Sequence, residues 1–148
     1  MVPLPPDGNT LVMNSDLLTT VSFEDMYVKH RDSGAEITVG VIPYQMSVPY
    51  AILTTDGDNV TGIEEKPSYS HYANAGIYIL SNRILSSIPS DTAVDAPDLI
   101  RSAITDGCKV TYHVINGTWI DIGTPTDFRQ AQELMRHHRN FNQGTVNK

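Results

Sequence analysis

Apolar and polar positions change period several times along the chain, and each change marks an element. Residues 1–10 hold three prolines and an Asp7-Gly8 step and read as a lead-in loop. Leu11-Val12-Met13 is a short apolar run stopped by Asn14-Ser15-Asp16, the pattern of a buried strand. A helix is predicted over Phe23–Ser33. Ser22 and Asp25 have capping-box spacing, Val21 and Met26 can staple the entry, and Gly34 suits the left-handed residue after the last turn. Glu36–Tyr44 is rich in β-branched residues and predicts a strand. Tyr50–Thr55 and Asn59–Glu64 flank Asp56-Gly57-Asp58, so a β-hairpin is expected. Tyr72–Leu80 reads as a further strand, Asn82–Ser87 as a short helix, and Asp95–Asp106 as a helix with Pro97 in its first turn. Lys109–Ile115 alternates like a strand, and Trp119–Ile122 is a short apolar run broken by Asp121. Thr124, Pro125 and Asp127 open a last helix, expected to reach about His137, ahead of a polar tail over 138–148.

Strands and helices thus alternate with a hairpin between them, which predicts an α/β fold rather than a bundle or a sandwich. The 148 residues suit one domain or a piece of one. Forty per cent hydrophobic and 18% charged residues exclude a disordered chain. Seventeen acids against ten bases, net −7, argue against nucleic-acid binding, which needs clustered Lys and Arg. No apolar run reaches membrane-spanning length, so no membrane association is expected. The single cysteine, Cys108, allows no internal disulfide, which points to a reducing, cytoplasmic setting.

Candidate chemistry concentrates at strand ends. Asp16 closes one apolar run just before a helix, and Asp121 interrupts another just before the last helix. Ligands of open α/β sheets sit at the carboxyl ends of strands. Two carboxylates meeting there can share one Mg²⁺, which takes one or two protein carboxylates plus substrate phosphates. The plainer alternative is that each Asp satisfies backbone groups of its own loop. Lys66, in Glu65-Lys66-Pro67, is either a phosphate-binding cation or a solvated lysine. Asn74-Ala75-Gly76 places a glycine within a strand, which marks either a ligand approaching closely or a bulge. His30, His71, His113, His137 and His138 show no metal-ligand spacing. Cys108 has no CxxC partner, and no G-x-S-x-G, Walker A or G-x-G-x-x-G motif is present.

Four segments in order carry a resemblance: Leu11–Leu18, Glu64-Glu65-Lys66-Pro67, Asn74–Leu80 and Trp119–Pro125. Together, over about Leu11–Leu134, they resemble the sugar-1-phosphate nucleotidylyltransferases, and within that family the mannose-1-phosphate guanylyltransferases. The resemblance implies a partial Rossmann-like α/β/α nucleotidyltransferase fold with a mixed, mostly parallel sheet and a β-hairpin insertion. It implies transfer of a nucleotidyl group from a nucleoside triphosphate to a sugar-1-phosphate with release of pyrophosphate, in nucleotide-sugar biosynthesis. By the same resemblance Asp16 and Asp121 hold Mg²⁺, Lys66 contacts the sugar phosphate and Glu65 the sugar hydroxyls. Asn74 and Gly76 line the sugar pocket, and so does Trp119.

Three departures set limits on that expectation. The family's glycine-rich G-G-x-G-T-R loop is not among these residues, Ser15 stands where the family has glycine before the metal Asp, and Ala51 follows Tyr50 in place of a glycine. The chain is therefore expected to be the acceptor-sugar and metal half of such an enzyme, residues 11–137, and not to turn over a triphosphate by itself. A non-catalytic binding or regulatory module with the same fold is the alternative. A retaining-type glycosyltransferase fits less well, because the Glu-Lys-Pro and Trp-x-Asp-x-Gly-Thr segments are not its signatures. By the same resemblance the strand matching Leu11–Met13 lies inside the family's sheet, beside strands of the first half; without them it would present an unpaired apolar edge, so a homo-oligomer is expected.

Overall fold

The computed structural model describes residues 5, 7–89 and 91–143, with side chains to Arg136. In chain order the elements are β1 (Asn9–Met13), β2 (Leu17–Thr19), α1 (Phe23–Ser33), β3 (Ile37–Ser47), β4 (Ile52–Asp56), β5 (Asn59–Glu64), β6 (Ser68–Ser81), α2 (Asn82–Ser87), α3 (Ala96–Thr105), β7 (Val110–Val114), β8 (Trp119–Asp121) and α4 (Pro125–Gln143). A four-stranded sheet in the order β1-β6-β3-β7 forms the centre, and β2-β8 and β4-β5 are separate two-stranded ribbons.

The sheet is mixed, as expected, but its pairings correct the mostly parallel expectation. β1–β6 and β3–β6 are antiparallel, and only β3–β7 is parallel. The cause is the position of β6. It runs against β1, β3 and β7, which all point the same way, and lies between two of them. The carboxyl ends of three strands therefore share one side of the sheet, where ligands bind in folds of this kind.

Strand alternation assigns each face its own core. Ile37, Val39 and Val41 of β3 join Tyr78 and Leu80 of β6, covered by Ile84 of α2 and Ala103 of α3. On the other face Ala75, Ile77 and Ile79 meet Met26 of α1, with Ile115 and the half-buried Trp119. Helices thus cover both faces, the α/β/α layering expected. Met26, Ile37 and Ile77 have no exposed surface. Each such side chain contributes about 1.5–3 kcal/mol relative to an exposed position.

The helix signals act as read. Ser22 Oγ accepts from the Asp25 N–H at 3.1 Å, and Gly34 ends α1 at φ +62°. The Thr124 and Asp127 box is reciprocal: Asp127 Oδ2 accepts from the Thr124 N–H and the Asp127 N–H donates to Thr124 Oγ1. The hairpin forms, although its two-residue loop is Gly57-Asp58 with only Gly57 at positive φ, the pattern of a type II′ turn.

Other expectations shift. β1 begins at Asn9, inside the predicted lead-in loop, and its residues are not buried: Leu11, Val12 and Met13 are 44%, 38% and 40% exposed. β1 is an edge strand, so burial cannot be complete. β3 and β6 run on to Ser47 and Ser68 and pair as an exposed two-stranded arm. Pro43 interrupts neither, because a strand that has left the sheet has a free edge for it. Short β2 follows Asp16, over residues to which the sequence reading assigned no element. The helix α4 continues through residues 138–143, where a polar tail was expected; residues 144–148 lie outside the described residues, as do the side chains of His137 and His138.

One buried polar group ties three elements together. His30 of α1 is 2% exposed, with Nδ1 2.8 Å from Thr38 Oγ1 on β3 and Nε2 3.1 Å from Asn9 Oδ1 on β1. A neutral ring fits: Nε2–H donates to Asn9 and Nδ1 accepts from the Thr38 hydroxyl. Burial pushes its pKa below the ordinary value, against the opposing pull of Glu36. Burial likewise lowers His113, helped by Lys29 and opposed by Asp25. A lowered folded-state pKa means that the unfolded chain takes up the proton first. The stability these rings contribute is thus complete above about pH 6.5 and is lost as pH falls through the lowered values. Urea unfolding is expected to show a lower midpoint at pH 5.5 than at pH 7.5, with a smaller difference in the His30→Gln variant, whose side chain does not titrate.

Candidate functional site

The candidate site is organised by an irregularity in β6. The β3–β6 register pairs Val39 with Tyr78 and Val41 with Asn74, so Ala75, Gly76 and Ile77 all face Gly40 alone. The bulge needs glycine on both strands. A Cβ at Gly40 would lie 3.2 Å from both Cβ and O of Ile77. Gly76 has φ +70°, and a Cβ there would sit 2.7 Å from Asn14 Nδ2. Of the two readings left open for Asn74-Ala75-Gly76, the bulge is therefore present.

Three residues lock this bulge in place. The Asn14 N–H donates to Gly76 O at 2.9 Å, carrying the β1–β6 ladder one residue past β1. The Trp119 indole N–H donates to Ala75 O at 2.9 Å from β8. Asn74 braces it from within: its Oδ1 accepts from the Gly76 N–H at 3.0 Å and its Nδ2 donates to Tyr78 Oη at 2.9 Å. Asn74 and Trp119 thus hold the site's frame through their polar atoms.

The same frame brings the backbones of the two aspartates side by side. β2 pairs antiparallel with β8, Leu17 opposite Asp121, and the Ile122 N–H donates to Asp16 O at 2.8 Å. Thr20 and Thr118 close the other end of this ribbon, where a Cβ at Gly117 would meet Thr20 Oγ1. Strict pleating would point Asp16 and Asp121 to opposite faces of the ribbon. Asp16, however, lies in the turn ahead of β2, where that alternation does not apply. Both are exposed, and among the described residues no cluster of three metal-ligating side chains forms.

Glu65 and Lys66 lie apart in sequence, between β5 and β6. Both side chains are exposed, with Lys66 Nζ 3.9 Å from Glu65 Oε1. At that exposure the pair contributes little to stability. Lys66 takes φ +45°, a conformation that costs a side-chain-bearing residue about 1–2 kcal/mol. Pro67, next to it, is buried, and its carbonyl accepts from the Val48 N–H at 3.0 Å. Strain of this kind gathers at functional sites.

Asn14, Gly40 and the strained Lys66 backbone were not singled out from the sequence. Gly40 within a β-branched run was a visible bulge signal. Nothing local marks Asn14 or the φ of Lys66.

The sequence profile of the nucleotidyl transferase family matches residues 4–138. The chain belongs to that family. A protein of Sulfolobus acidocaldarius named as a mannose-1-phosphate guanyltransferase is 28% identical over 122 residues, 81% of this chain and 33% of that protein. A glucose-1-phosphate adenylyltransferase of Halalkalibacterium halodurans is 27% identical over 141 residues, 86% of this chain and 37% of its own length. The chain thus spans little more than a third of these curated relatives. Among solved structures, a Bacillus anthracis protein described as a glucose-1-phosphate thymidylyltransferase superposes with a TM-score of 0.61 at 21% identity. The match covers 88% of this chain and 55% of that one, a likeness of fold. The sugar-1-phosphate nucleotidyltransferase resemblance is therefore shown at the level of family and fold. Among the described residues no helix is long and apolar enough to cross a membrane.

If Gly76 is the hinge of this frame, a Cβ there disturbs everything attached to it. Gly76→Ala is expected to lower stability by about 1–2 kcal/mol for the left-handed backbone, plus the displacement of Asn14. Denaturant unfolding followed by Trp119 fluorescence reads both effects, because the indole is bonded to the same bulge. A wild-type midpoint and spectrum would refute the assignment.

Proposed function

We propose that this chain supplies the acceptor-sugar and metal half of a sugar-1-phosphate nucleotidyltransferase. The observation that supports this reading is the backbone hydrogen bond from the Ile122 N–H to Asp16 O, which keeps the backbones of Asp16 and Asp121 side by side in one ribbon at the carboxyl end of β1. Asp16 and Asp121 would hold Mg²⁺. When bound, the ion neutralises charge developing on the phosphates during in-line transfer. Lys66 would attract the sugar phosphate as a point charge, and Glu65 would accept from sugar hydroxyls. Asn74, Gly76 and Trp119 keep the pocket wall in place. The favoured substrates are a hexose-1-phosphate, mannose-1-phosphate foremost, and a nucleoside triphosphate, GTP foremost. These are soluble metabolites, so the cytoplasm is the proposed location.

Ser15, standing where the resemblance has glycine before the metal Asp, favours a second reading, a module that binds sugar phosphate without transferring a nucleotide. Under both readings this chain by itself is expected to release no pyrophosphate from GTP and mannose-1-phosphate with Mg²⁺, and robust release would overturn both. Calorimetry tests what they share. Mannose-1-phosphate binding in the presence of Mg²⁺ is expected to weaken about tenfold or more in Lys66→Ala, the loss of one charge-assisted contact. In Asp121→Asn, binding is expected to lose its Mg²⁺ dependence without loss of fold. Equal affinity in all three proteins would rule out this site.

The exposed edge of β1 supports association as a homo-oligomer through strand pairing. Sedimentation velocity is expected to show a species heavier than the 16.3 kDa chain, and one that dissociates when Val12→Lys places a charge on that edge. A lone monomer at high concentration would refute it.

A further inference from the structure

One cavity among the described residues is lined by neither aspartate. About 780 Å³ in volume, it opens between the β3–β7 side of the sheet and α3, with Val39, Val41, Val110 and Ile100 as its apolar wall. Tyr72 and Tyr112 form one rim, their ring centroids 5.0 Å apart and tilted by 34°. Both rings are about half exposed, as is Ile104 on the opposite rim. An apolar recess of this volume with an aromatic rim has the proportions of a small-molecule site.

Charge narrows the ligand class. In a chain of net −7, none of the described residues lining the cavity is acidic. Two cations flank it. Lys29 Nζ lies 4.9 Å from the Tyr112 ring centroid, and Lys109 lines the cavity while donating to Ser33 O. Neither has a carboxylate partner at ion-pair distance among the described residues. An anionic head facing the lysines and a flat apolar body over the valines would satisfy both features. We propose that this cavity is a second ligand site, separate from the aspartate ribbon, that takes a small planar aromatic anion. This cavity would take such a ligand whether or not the aspartate ribbon binds a sugar phosphate. The two sites nonetheless touch at Asn74, which lines the cavity and braces the bulge.

The test pairs two probes with one ring system and opposite charge, naphthalene-2-sulfonate and 2-(aminomethyl)naphthalene, titrated into the full chain at low salt. The sulfonate is expected to bind with Kd of about 1 mM or below, as befits a fragment-sized ligand, and to shift the amide resonances of Thr111 and Tyr112. The amine is expected to bind about tenfold more weakly, as is the sulfonate in the Ile104→Glu variant, which sets a carboxylate on an exposed rim position. The sulfonate is also expected to slow alkylation of Cys108, which lines the same cavity and is the sequence's only cysteine. Equal binding of the two probes, or binding that leaves Cys108 alkylation and Ile104→Glu affinity unchanged, would overturn the proposal. So would protection of Cys108 that rises with protein concentration in the absence of probe, which would assign the cavity to a second copy of the chain.

Discussion

The bulge in β6 is the constraint on which the rest of the structure depends. Three residues facing one is a costly interruption of a ladder, and it is held by partners from β6 itself, from the turn after β1 and from β8. Asn74 fills the bulge's own hydrogen bonds, Asn14 extends β1 into it, and Trp119 reaches it from β8. Each bond also has a positioning consequence. The first sets the wall of the pocket, the second places the turn that carries Asp16, and the third brings the strand that carries Asp121. A regular β6 would leave these loops without a common anchor. Local irregularity and functional geometry are therefore one feature here.

Much of this fold could be read from side-chain chemistry acting over a few residues. Ser22, Gly34, Thr124 and Asp127 act within one turn of where they stand, so their capping roles were visible. The hairpin around Gly57 is equally local. What escaped was set by distant partners. Nothing near β6 says that it will lie between β1 and β3, and that one placement turns three codirectional strands into mainly antiparallel pairs. The exposure of Leu11–Met13 is likewise decided by which strand lies beside them, not by their own apolar character.

The candidate site divides along the same line. Asp16 and Asp121 were marked by ending apolar runs, and the β2–β8 ribbon draws their backbones together. Gly76 was marked as an odd residue in a strand, with its reason undecided until Asn14 appeared over it. Asn74 and Trp119 stood out as pocket residues, yet the polar atoms of both are engaged with the frame. Their sequence signal reported a constraint on backbone placement. Lys66 adds strain that only its φ angle reveals.

The two margins of the central sheet differ in a way that governs how it can grow. Beyond β7, the Lys29 ammonium sits over Tyr112, and a desolvated charge opposes a new strand there. Beyond β1, half-exposed apolar side chains and an unpaired backbone offer no such resistance. Enlargement is thus one-directional. Any strand laid beside β1, whatever its origin, would have one of its ends beside Asn14, Ser15 and Asp16. The asymmetry of the margins makes the turn that carries Asp16 a seam: a strand added there also borders the candidate site.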